Sequence, residues 1–304
     1  MNPCPEIFVI DRATRERVRE AVLGDRLLRL AYASPFAGLC QAILFRNSLC
    51  SRCLGWYAGS SFSRRRIAAT IAQLSIDMAD YVVPEGGYTS FNDFFTRRLK
   101  PGRRPFAAAP DRVCSPADCR MLVLPEGSGH PCLTVKGMLM TPAELLGSGA
   151  TAIRYAPRLA GGTAVVARLC PADYHRFHFP FTGDVLDSWT IPGRYDSVNP
   201  LALAAGARPF TRNKRGITML QNSPFGVVAF IEVGAFGVGA IQQTHQGPHF
   251  ARMEEKGYFS FGGSTIVLLF EPGRFAPDPD LIDHSANGCE TLVKAGERIG
   301  AAPA

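Results

Sequence analysis

Short apolar runs, each interrupted within a few residues by glycine or proline, fill the chain from about residue 111 onward. Their content of Val, Ile, Leu and Phe is typical of β-strands, and the glycines and prolines between them supply turns. The pattern predicts a compact β-rich domain with few helices. The clearest runs are Met121–Leu124, Ala164–Leu169, Gly226–Val233 and Thr265–Phe270.

The first third of the chain has a different pattern, and we predict helix over residues 12–80. Val18, Leu27 and Leu30 recur at helical spacing, with arginines between them. A more apolar segment follows at 36–57. Apolar helices flanked by arginines fit an interfacial membrane helix, and they fit an ordinary helix packed on a core equally well.

Proline, glycine and arginine then cluster in Lys100–Pro105, which indicates a boundary or a connection along the surface. The predicted fold class is therefore α+β. A helical region at 1–105 precedes a β-rich domain at 106–304.

The net charge of +7 lies entirely in the first of these regions. Residues 1–105 hold 16 Lys and Arg against 9 Asp and Glu, whereas residues 106–304 hold 17 of each. A basic surface suits nucleic acid or the headgroups of a membrane, and a solvated basic face is the alternative.

Nine cysteines at irregular spacing do not match a disulfide framework, so a reducing compartment is expected. Cys50-x-x-Cys53 is the one pair with the spacing of a metal or redox site, and no second such pair or paired histidine accompanies it. Met1–Arg12 lacks the apolar core of a secretory signal, and the apolar stretch Pro35–Phe45 is too short to span a bilayer. We expect a chain that does not cross a membrane.

Three short segments carry the residue types of an activated serine. Ser115–Asp118 ends in an acid, Asp173–Pro180 contains two histidines, and Phe261–Thr265 holds a serine after two glycines. Taken singly, they are a turn aspartate, surface histidines and a tight turn. Together they supply the acid, the imidazole and the hydroxyl of an activated serine.

Ser264 does not lie in the G-x-S-x-G pattern of hydrolases, because Thr265 and an apolar run follow at once. The two glycines before it permit unusual backbone angles and leave the carbonyl of Gly263 sterically open. A hydroxyl in this setting can attack its own upstream carbonyl instead of a bound substrate.

These segments resemble, in chain order, the motifs of the phosphatidylserine decarboxylase family. Tyr258–Phe270 resembles the family's processing site, and Ser90–Pro101 resembles its N-terminal signature. The Phe-Gly-Gly-Ser-Thr form is most similar to the branch with a longer helical N-terminal region. The other matching segments are Ser115–Asp118, Lys136-Gly137 with Leu145–Gly147, Asp173–His178, Ser197–Asn199 and Val233–Gly239.

The resemblance implies a self-processing relay in which Asp118 orients the His178 imidazole and His178 takes the proton of the Ser264 hydroxyl. The chain is then cut between Gly263 and Ser264 into a β chain, 1–263, and an α chain, 264–304. Ser264 becomes a covalent pyruvoyl group, and neither a metal nor a diffusible cofactor is implied.

The same resemblance implies decarboxylation of phosphatidylserine to phosphatidylethanolamine in phospholipid biosynthesis. The substrate amine forms a Schiff base with the pyruvoyl ketone, which accepts electrons as carbon dioxide leaves. His175 then protonates the carbanion. Because His175 and His178 are both needed at one site, we predict a turn or short helical loop over 173–179, ended by Pro180.

A lipid with two acyl chains must be handled at a membrane surface, so the basic N-terminal region gains a partner in an anionic bilayer. The implied location is peripheral, at the cell membrane facing the cytoplasm, with no nucleic-acid partner. A homodimer is implied by the family alone. One departure from the family is Cys119, which replaces a glycine after Ser115–Asp118; at positive φ it would strain the turn and misplace Asp118.

Three alternatives stay open at this point. A serine hydrolase would remain one intact chain. A pyruvoyl enzyme for a soluble amino acid would have no use for an amphipathic N-terminal third. A non-catalytic membrane-binding module would leave the combination of acid, histidine and serine unexplained.

Overall fold

The computed structural model describes residues 7–21, 23, 31–32, 48–126, 133–135, 138–235, 240–262 and 264–303. The Lys136-Gly137 motif, residues 236–239 of the Val233–Gly239 motif and the predicted cleavage residue Gly263 lie outside these ranges. So does most of the segment 22–47, including Leu27 and Leu30.

Eighteen strands are named here in chain order. They are β1 (Phe8–Asp11), β2 (Arg17–Arg19), β3 (Arg112–Cys114), β4 (Cys119–Leu124), β5 (Leu133–Val135), β6 (Met138–Met140), β7 (Ala164–Leu169), β8 (Arg176–His178), β9 (Gly183–Ile191), β10 (Arg215–Asn222), β11 (Gly226–Gly234), β12 (Ile241–Gln243), β13 (His249–Phe250), β14 (Glu255–Phe259), β15 (Ser264–Phe270), β16 (Ala276–Pro277), β17 (Glu290–Val293) and β18 (Arg298–Ala301).

The helices are shorter and lie mostly between the strands. They are α1 (Ser48–Gly59), α2 (Ile67–Leu74), α3 (Phe91–Phe95), α4 (Pro142–Leu146), α5 (Ala150–Leu159), α6 (Pro200–Ala204), α7 (Pro209–Arg212) and α8 (Pro279–Ala286), with 3₁₀ helices at Ser61–Arg66 and Met78–Asp80.

Ten strands form one large sheet in the order β13-β9-β10-β11-β15-β7-β4-β17-β1-β2. All neighbours in it are antiparallel except β1 and β17, which are parallel. Smaller sheets have the orders β12-β14-β8, β16-β18-β3 and β5-β6. This mixture of helices and sheets agrees with the predicted α+β class.

The central strands β7, β11 and β15 are apolar along nearly their whole length because both faces of the large sheet are covered. Ile266, Leu268 and Phe270 pack on one face, with Phe177 and Phe259 of the three-stranded sheet above them. Val267 and Leu269 pack on the other face, with residues of α4 and α5. The period of two in side-chain direction puts Ser264 on the same face as Ile266.

The predicted helix over 12–80 is wrong at Arg17–Arg19, which forms β2 and pairs with β1. A tight turn makes this hairpin: the Asp11 carboxylate accepts the Ala13 N–H at 2.9 Å, and Arg15 has a φ of 61°. The helical spacing of Val18 with later residues therefore has no structural meaning here. Further along the same range, helices occupy Ser48–Gly59 and Ile67–Leu74.

The division of the chain at residue 105 stays a prediction, although β1 and β2 pair within the same sheet as the later strands. Cys50 and Cys53 are both free thiols on α1, the first half-buried and the second exposed. In the described part of the chain, no helix combines the length and apolar character that a membrane span requires.

Candidate active site

Ser264 begins β15, the strand that lies between β11 and β7 in the large sheet. It pairs with Gly234 on one side and Leu169 on the other, and its side chain is fully buried. Gly262, two residues earlier, has a φ of 149°, which a residue with a Cβ rarely adopts. The sequence thus enters the strand through a backbone conformation that requires glycine.

The Ser264 hydroxyl has no hydrogen-bond partner among the residues that the structure describes. Leaving a buried polar group unpaired costs about 1–3 kcal/mol. Buried hydroxyls are usually hydrogen-bonded, so an orphaned one requires an explanation. A reactive role on the neighbouring backbone is one such explanation.

His178 lies on a strand, and His175 comes directly before that strand. A turn at 171–173 precedes them, but Arg176–His178 form β8, which pairs with β14. The prediction of a turn or helical loop over 173–179 is therefore wrong at Arg176–His178, while His175 lies outside both strand and helix. The reason is that β14 supplies backbone partners, while Phe177 is buried in the core between the two sheets.

His175 is completely buried, and its ring packs against the ring of Phe95 at an angle of 36°, with 3.8 Å between the centroids. Its Nδ1 lies 3.0 Å from the carbonyl oxygen of Asp173, so this nitrogen carries the proton and donates it. Its Nε2 is buried and has no partner within the described ranges, which leaves a free lone pair. Burial lowers the pKa of His175 to about 3, so the ring is neutral at pH 7.

This buried histidine predicts a loss of stability in acid. Its folded pKa of about 3 lies below the ordinary value of about 6.5, so between these pH values the unfolded chain binds a proton that the folded chain does not. Stability therefore falls as the pH falls through that window, by up to about 1.4 kcal/mol per pH unit.

The measurement is the urea midpoint between pH 7 and pH 4, in a Ser264→Ala background so that the chain stays whole. Adding His175→Phe should make the decline with acid shallower, because phenylalanine can still pack against Phe95. In the His175→Phe protein the Asp173 carbonyl oxygen keeps a hydrogen-bond donor, because Arg97 Nη2 donates to it at 2.9 Å. Parallel pH profiles for the two proteins would contradict this assignment.

His178 is half-buried and contacts a different set of groups. Its Nδ1 lies 3.0 Å from the carbonyl oxygen of Met253, and its Nε2 lies 3.2 Å from the hydroxyl of Tyr174, whose ring stacks on it. Burial is the main cause that lowers the pKa of His178. Its backbone N–H donates to the carbonyl of Pro116 at 2.8 Å, so the histidine strand lies directly beside Ser115–Asp118.

Asp118 is buried and makes three strong hydrogen bonds. Its Oδ1 accepts Arg104 Nε at 2.9 Å and the Ala295 N–H at 2.8 Å, and its Oδ2 accepts Arg104 Nη2 at 2.6 Å. The described hydrogen bonds do not connect Asp118, His178 and Ser264 to one another. The relay of these three side chains stays a prediction, and it requires His178 to exchange partners.

Residues around α3 hold the site together, and sequence reasoning missed their roles. Arg97 is buried and donates to the carbonyls of Ala172, at 2.6 Å, and Asp173, at 2.9 Å. The side chain of Asn92 accepts the N–H of Phe261 at 2.8 Å. The segment Ser90–Pro101 thus contacts both the histidine segment and the segment before Ser264.

Comparison with known proteins bears on this arrangement. A model of the phosphatidylserine decarboxylase family matches residues 91–301. This chain belongs to the phosphatidylserine decarboxylase family. The matched range contains α3, both histidines, Asp118 and Ser264.

Curated members of the family align with nearly the whole chain. A protein from Chlamydia trachomatis serovar L2, named phosphatidylserine decarboxylase proenzyme, is 37% identical over 296 residues, which cover 97% of each chain. Proteins of the same name from Desulfitobacterium hafniense and Ruminiclostridium cellulolyticum are each 38% identical, over 292 and 295 residues. They cover 95% and 97% of this chain and 96% and 97% of their own lengths.

Cys119, where the decarboxylase family usually has glycine, does not strain the turn after Asp118. It is the first residue of β4 and pairs with Val293, and its φ is not positive. Its buried thiol lies 3.7 Å from the hydroxyl of Ser115. The expected misplacement of Asp118 depended on a positive φ, so its premise is wrong.

Proposed function

We propose that this chain cuts itself between Gly263 and Ser264 and then decarboxylates phosphatidylserine to phosphatidylethanolamine through a pyruvoyl group at residue 264. The observation that carries the proposal is the buried hydroxyl of Ser264, which has no partner among the described residues, together with the φ of 149° at Gly262, two residues earlier. Membership of the family supports it.

The cut begins when the Ser264 hydroxyl adds to the carbonyl carbon of Gly263 and His178 takes its proton. The peptide C–N bond breaks, which leaves an ester and a free amino group on residue 264. Loss of the Cα proton and cleavage of the Cβ–O bond then release the β chain and leave dehydroalanine. Addition of water and loss of ammonia convert this residue to pyruvoyl. Asp118 assists by stabilising the charged form of His178.

The residues around position 264 fit the product of this sequence. The side chain at position 264 is fully buried, and a ketone there, unlike the serine hydroxyl, carries no O–H donor that would be left without a partner. When formed, the pyruvoyl group supplies a carbonyl that condenses with an amine and accepts the electrons released with carbon dioxide. The carbonyl oxygen of Asp173 accepts a hydrogen bond from Nδ1–H of His175, so Nε2, which has no partner among the described residues, is the atom placed to deliver a proton to the reacting carbon.

The test is the intact mass of the purified protein. The proposal predicts a β chain of residues 1–263 and an α chain of 41 residues, 264–304, that begins with a ketone. The ketone should react with a hydrazine probe and shift the mass of the α chain alone. A single chain of 304 residues with an unmodified serine would contradict the proposal.

The N-terminal elements support contact with an anionic membrane from the cytoplasmic side of the cell membrane. Trp56 on α1 is 79% exposed, and Phe62 on the adjoining 3₁₀ helix is 72% exposed. The exposed arginines Arg64–Arg66 follow directly. Large apolar side chains beside arginines are the composition of interfacial membrane segments. A homodimer is part of the proposal only through the family.

Replacing Trp56 and Phe62 together by alanine should weaken binding to vesicles of anionic lipid by about tenfold or more, since each side chain contributes roughly 1.5–3 kcal/mol when buried. Co-sedimentation with vesicles that contain phosphatidylglycerol measures the effect. Ile153→Ala, which removes a 65% exposed apolar side chain on α5, is the matched control and should bind normally. Equal binding of the double variant and the control would exclude this surface as the contact.

A further inference from the structure

Arg104 forms the closest charged contact to Asp118. Its guanidinium donates a hydrogen bond to each carboxylate oxygen, with Nε 2.9 Å from Oδ1 and Nη2 2.6 Å from Oδ2. Its third nitrogen, Nη1, donates to Asp80 Oδ2 at 2.8 Å. Arg104 belongs to the cluster Lys100–Pro105, which the sequence suggested only as a boundary or surface connection.

The geometry around Asp118 leaves one acceptor position. A carboxylate has about four lone-pair sites. Two on Oδ1 are filled by Arg104 Nε and the Ala295 N–H, and one on Oδ2 is filled by Arg104 Nη2. Because the side chain is only 1% exposed, water cannot readily replace these partners. The free site on Oδ2 is the position at which an imidazole N–H can bind.

Other ionisable groups face Asp118 from the surrounding elements. Lys294 is the second cation, but its ammonium lies 3.7 Å away on a side chain that is 48% exposed. Burial raises the pKa of Asp118, and Arg104 and Lys294 more than offset that effect, so that the pKa lies below its ordinary value. The remaining groups within electrostatic range are Cys119, Asp173, Glu297, His175, His178, Tyr81 and Tyr174.

We propose that Arg104 is a positioning residue for self-cleavage, which keeps Asp118 ionised and aims its one free lone pair at the histidine segment. The inference rests on the proposed role of Asp118 in the relay. Arg104 is a bidentate partner at the rim of the site, and no other described side chain bonds to both carboxylate oxygens.

The contact also makes self-cleavage depend on the segment before the β-rich region. Arg104 joins Asp118 to Asp80, and the Lys100 N–H donates to the carbonyl of Asp80 at 2.9 Å. Residues 80–104 must therefore be folded against the site before Asp118 has its guanidinium. A chain that has not yet docked this segment would hold Asp118 without its counter-charge, and burial would then favour the protonated acid.

The experiment follows the appearance of the 41-residue α chain after cell-free synthesis, with samples transferred to buffers from pH 5 to pH 9. Arg104→Gln should slow cleavage at pH 7.5 by about tenfold or more. In the plot of cleavage rate against pH, the acid limb is the range in which the rate falls as the pH falls. Arg104→Gln should shift this acid limb to higher pH by about one pH unit or more, because a buried carboxylate without a cation protonates at higher pH. Arg104→Lys keeps the positive charge but cannot bond to both carboxylate oxygens as a guanidinium does. Its cleavage rate and acid limb should lie between those of the parent and of Arg104→Gln.

Arg103→Gln is the matched control. Arg103 also donates to Asp80, but its side chain is 49% exposed and bonds to Oδ1 of Asp80 instead of to Asp118. Its variant should cleave within about twofold of the parent at every pH. If Arg104→Gln does not fold, as judged by circular dichroism, Arg104→Lys decides the question through the same shift of the acid limb.

Asp118→Asn distinguishes a failure of the proposed role of Asp118 from a failure of the proposed role of Arg104. If Asp118→Asn cleaves at the parental rate, the proposed function of Asp118 fails and the inference fails with it. If Asp118→Asn is blocked while both Arg104 variants keep the parental acid limb, the proposed function stands and Arg104 is only structural.

Discussion

Ser264→Ala is expected to remain a single polypeptide of 304 residues that releases no carbon dioxide from phosphatidylserine. The hydroxyl oxygen is the only atom of residue 264 that can add to the preceding carbonyl, so its removal stops the cut at its first step. Without the cut no ketone forms, and the later reaction has no electron acceptor. The loss of both activities should be complete within detection, as measured by intact mass and by release of labelled carbon dioxide.

Thr265→Val provides the matched control for this variant. Thr265 is the next residue of β15, and its hydroxyl is likewise buried and unpartnered in the described part of the chain. Its side chain points to the opposite face of the sheet, since side chains alternate along a strand. Valine has almost the same shape, so this variant should cut itself and decarboxylate. Cleavage of Ser264→Ala, or failure of Thr265→Val alone, would show that the wrong hydroxyl has been chosen.

His175→Ala is expected to produce both chains and to lose decarboxylation by about a hundredfold or more, the usual cost of removing a general acid–base group. The buried Nε2 of His175 has no partner in the part of the chain that the structure describes, and we assign it to the substrate, whereas the cut is assigned to His178. Intact mass measures the cut, and formation of phosphatidylethanolamine measures the second reaction. The ratio of product to α chain corrects for any change in the amount of protein that matures.

His178→Ala should impair the cut itself, whereas His175→Ala should impair only the decarboxylation that follows it. His249→Ala, which removes an exposed histidine paired with Asp184, should change neither activity. Should His175→Ala fail to cut itself, the division of labour between the two histidines is wrong. Should it decarboxylate normally, another group delivers the proton.

The central strands could be predicted from the sequence because the fold covers them on both sides. Ala164–Leu169 and Thr265–Phe270 are confirmed as strands, since continuous apolar runs suit a sheet with two buried faces. β9 was missed because its residues alternate between half-buried and exposed, which gives no continuous run. The hairpin at Phe8–Arg19 was missed because its arginines and valines imitate helical spacing over a short distance.

The site residues chosen from the sequence stay a prediction, and their contacts could not be read from the sequence. Asp118, His175 and Ser264 were chosen for their chemistry, and all three are buried. What the sequence did not reveal is which group each of them meets. The partners of Asp118 and His175, such as Arg104 and Phe95, come from a region more than ten residues away along the chain, and only folding brings them near.

The position of β15 and β17 in the large sheet has a consequence for the cut protein. If the chain is cut as proposed, both strands belong to the 41-residue fragment, yet β15 is enclosed by β11 and β7, and β17 by β4 and β1, which would all belong to the larger fragment. Glu290 on β17 also shares a buried ion pair with Arg168 of β7. The two proposed fragments would therefore share one sheet, and neither could dissociate without breaking the strand pairing of the large sheet. Once severed, a protein that folded as one molecule would have to reassemble as two, and dilution would work against its recovery from denaturation.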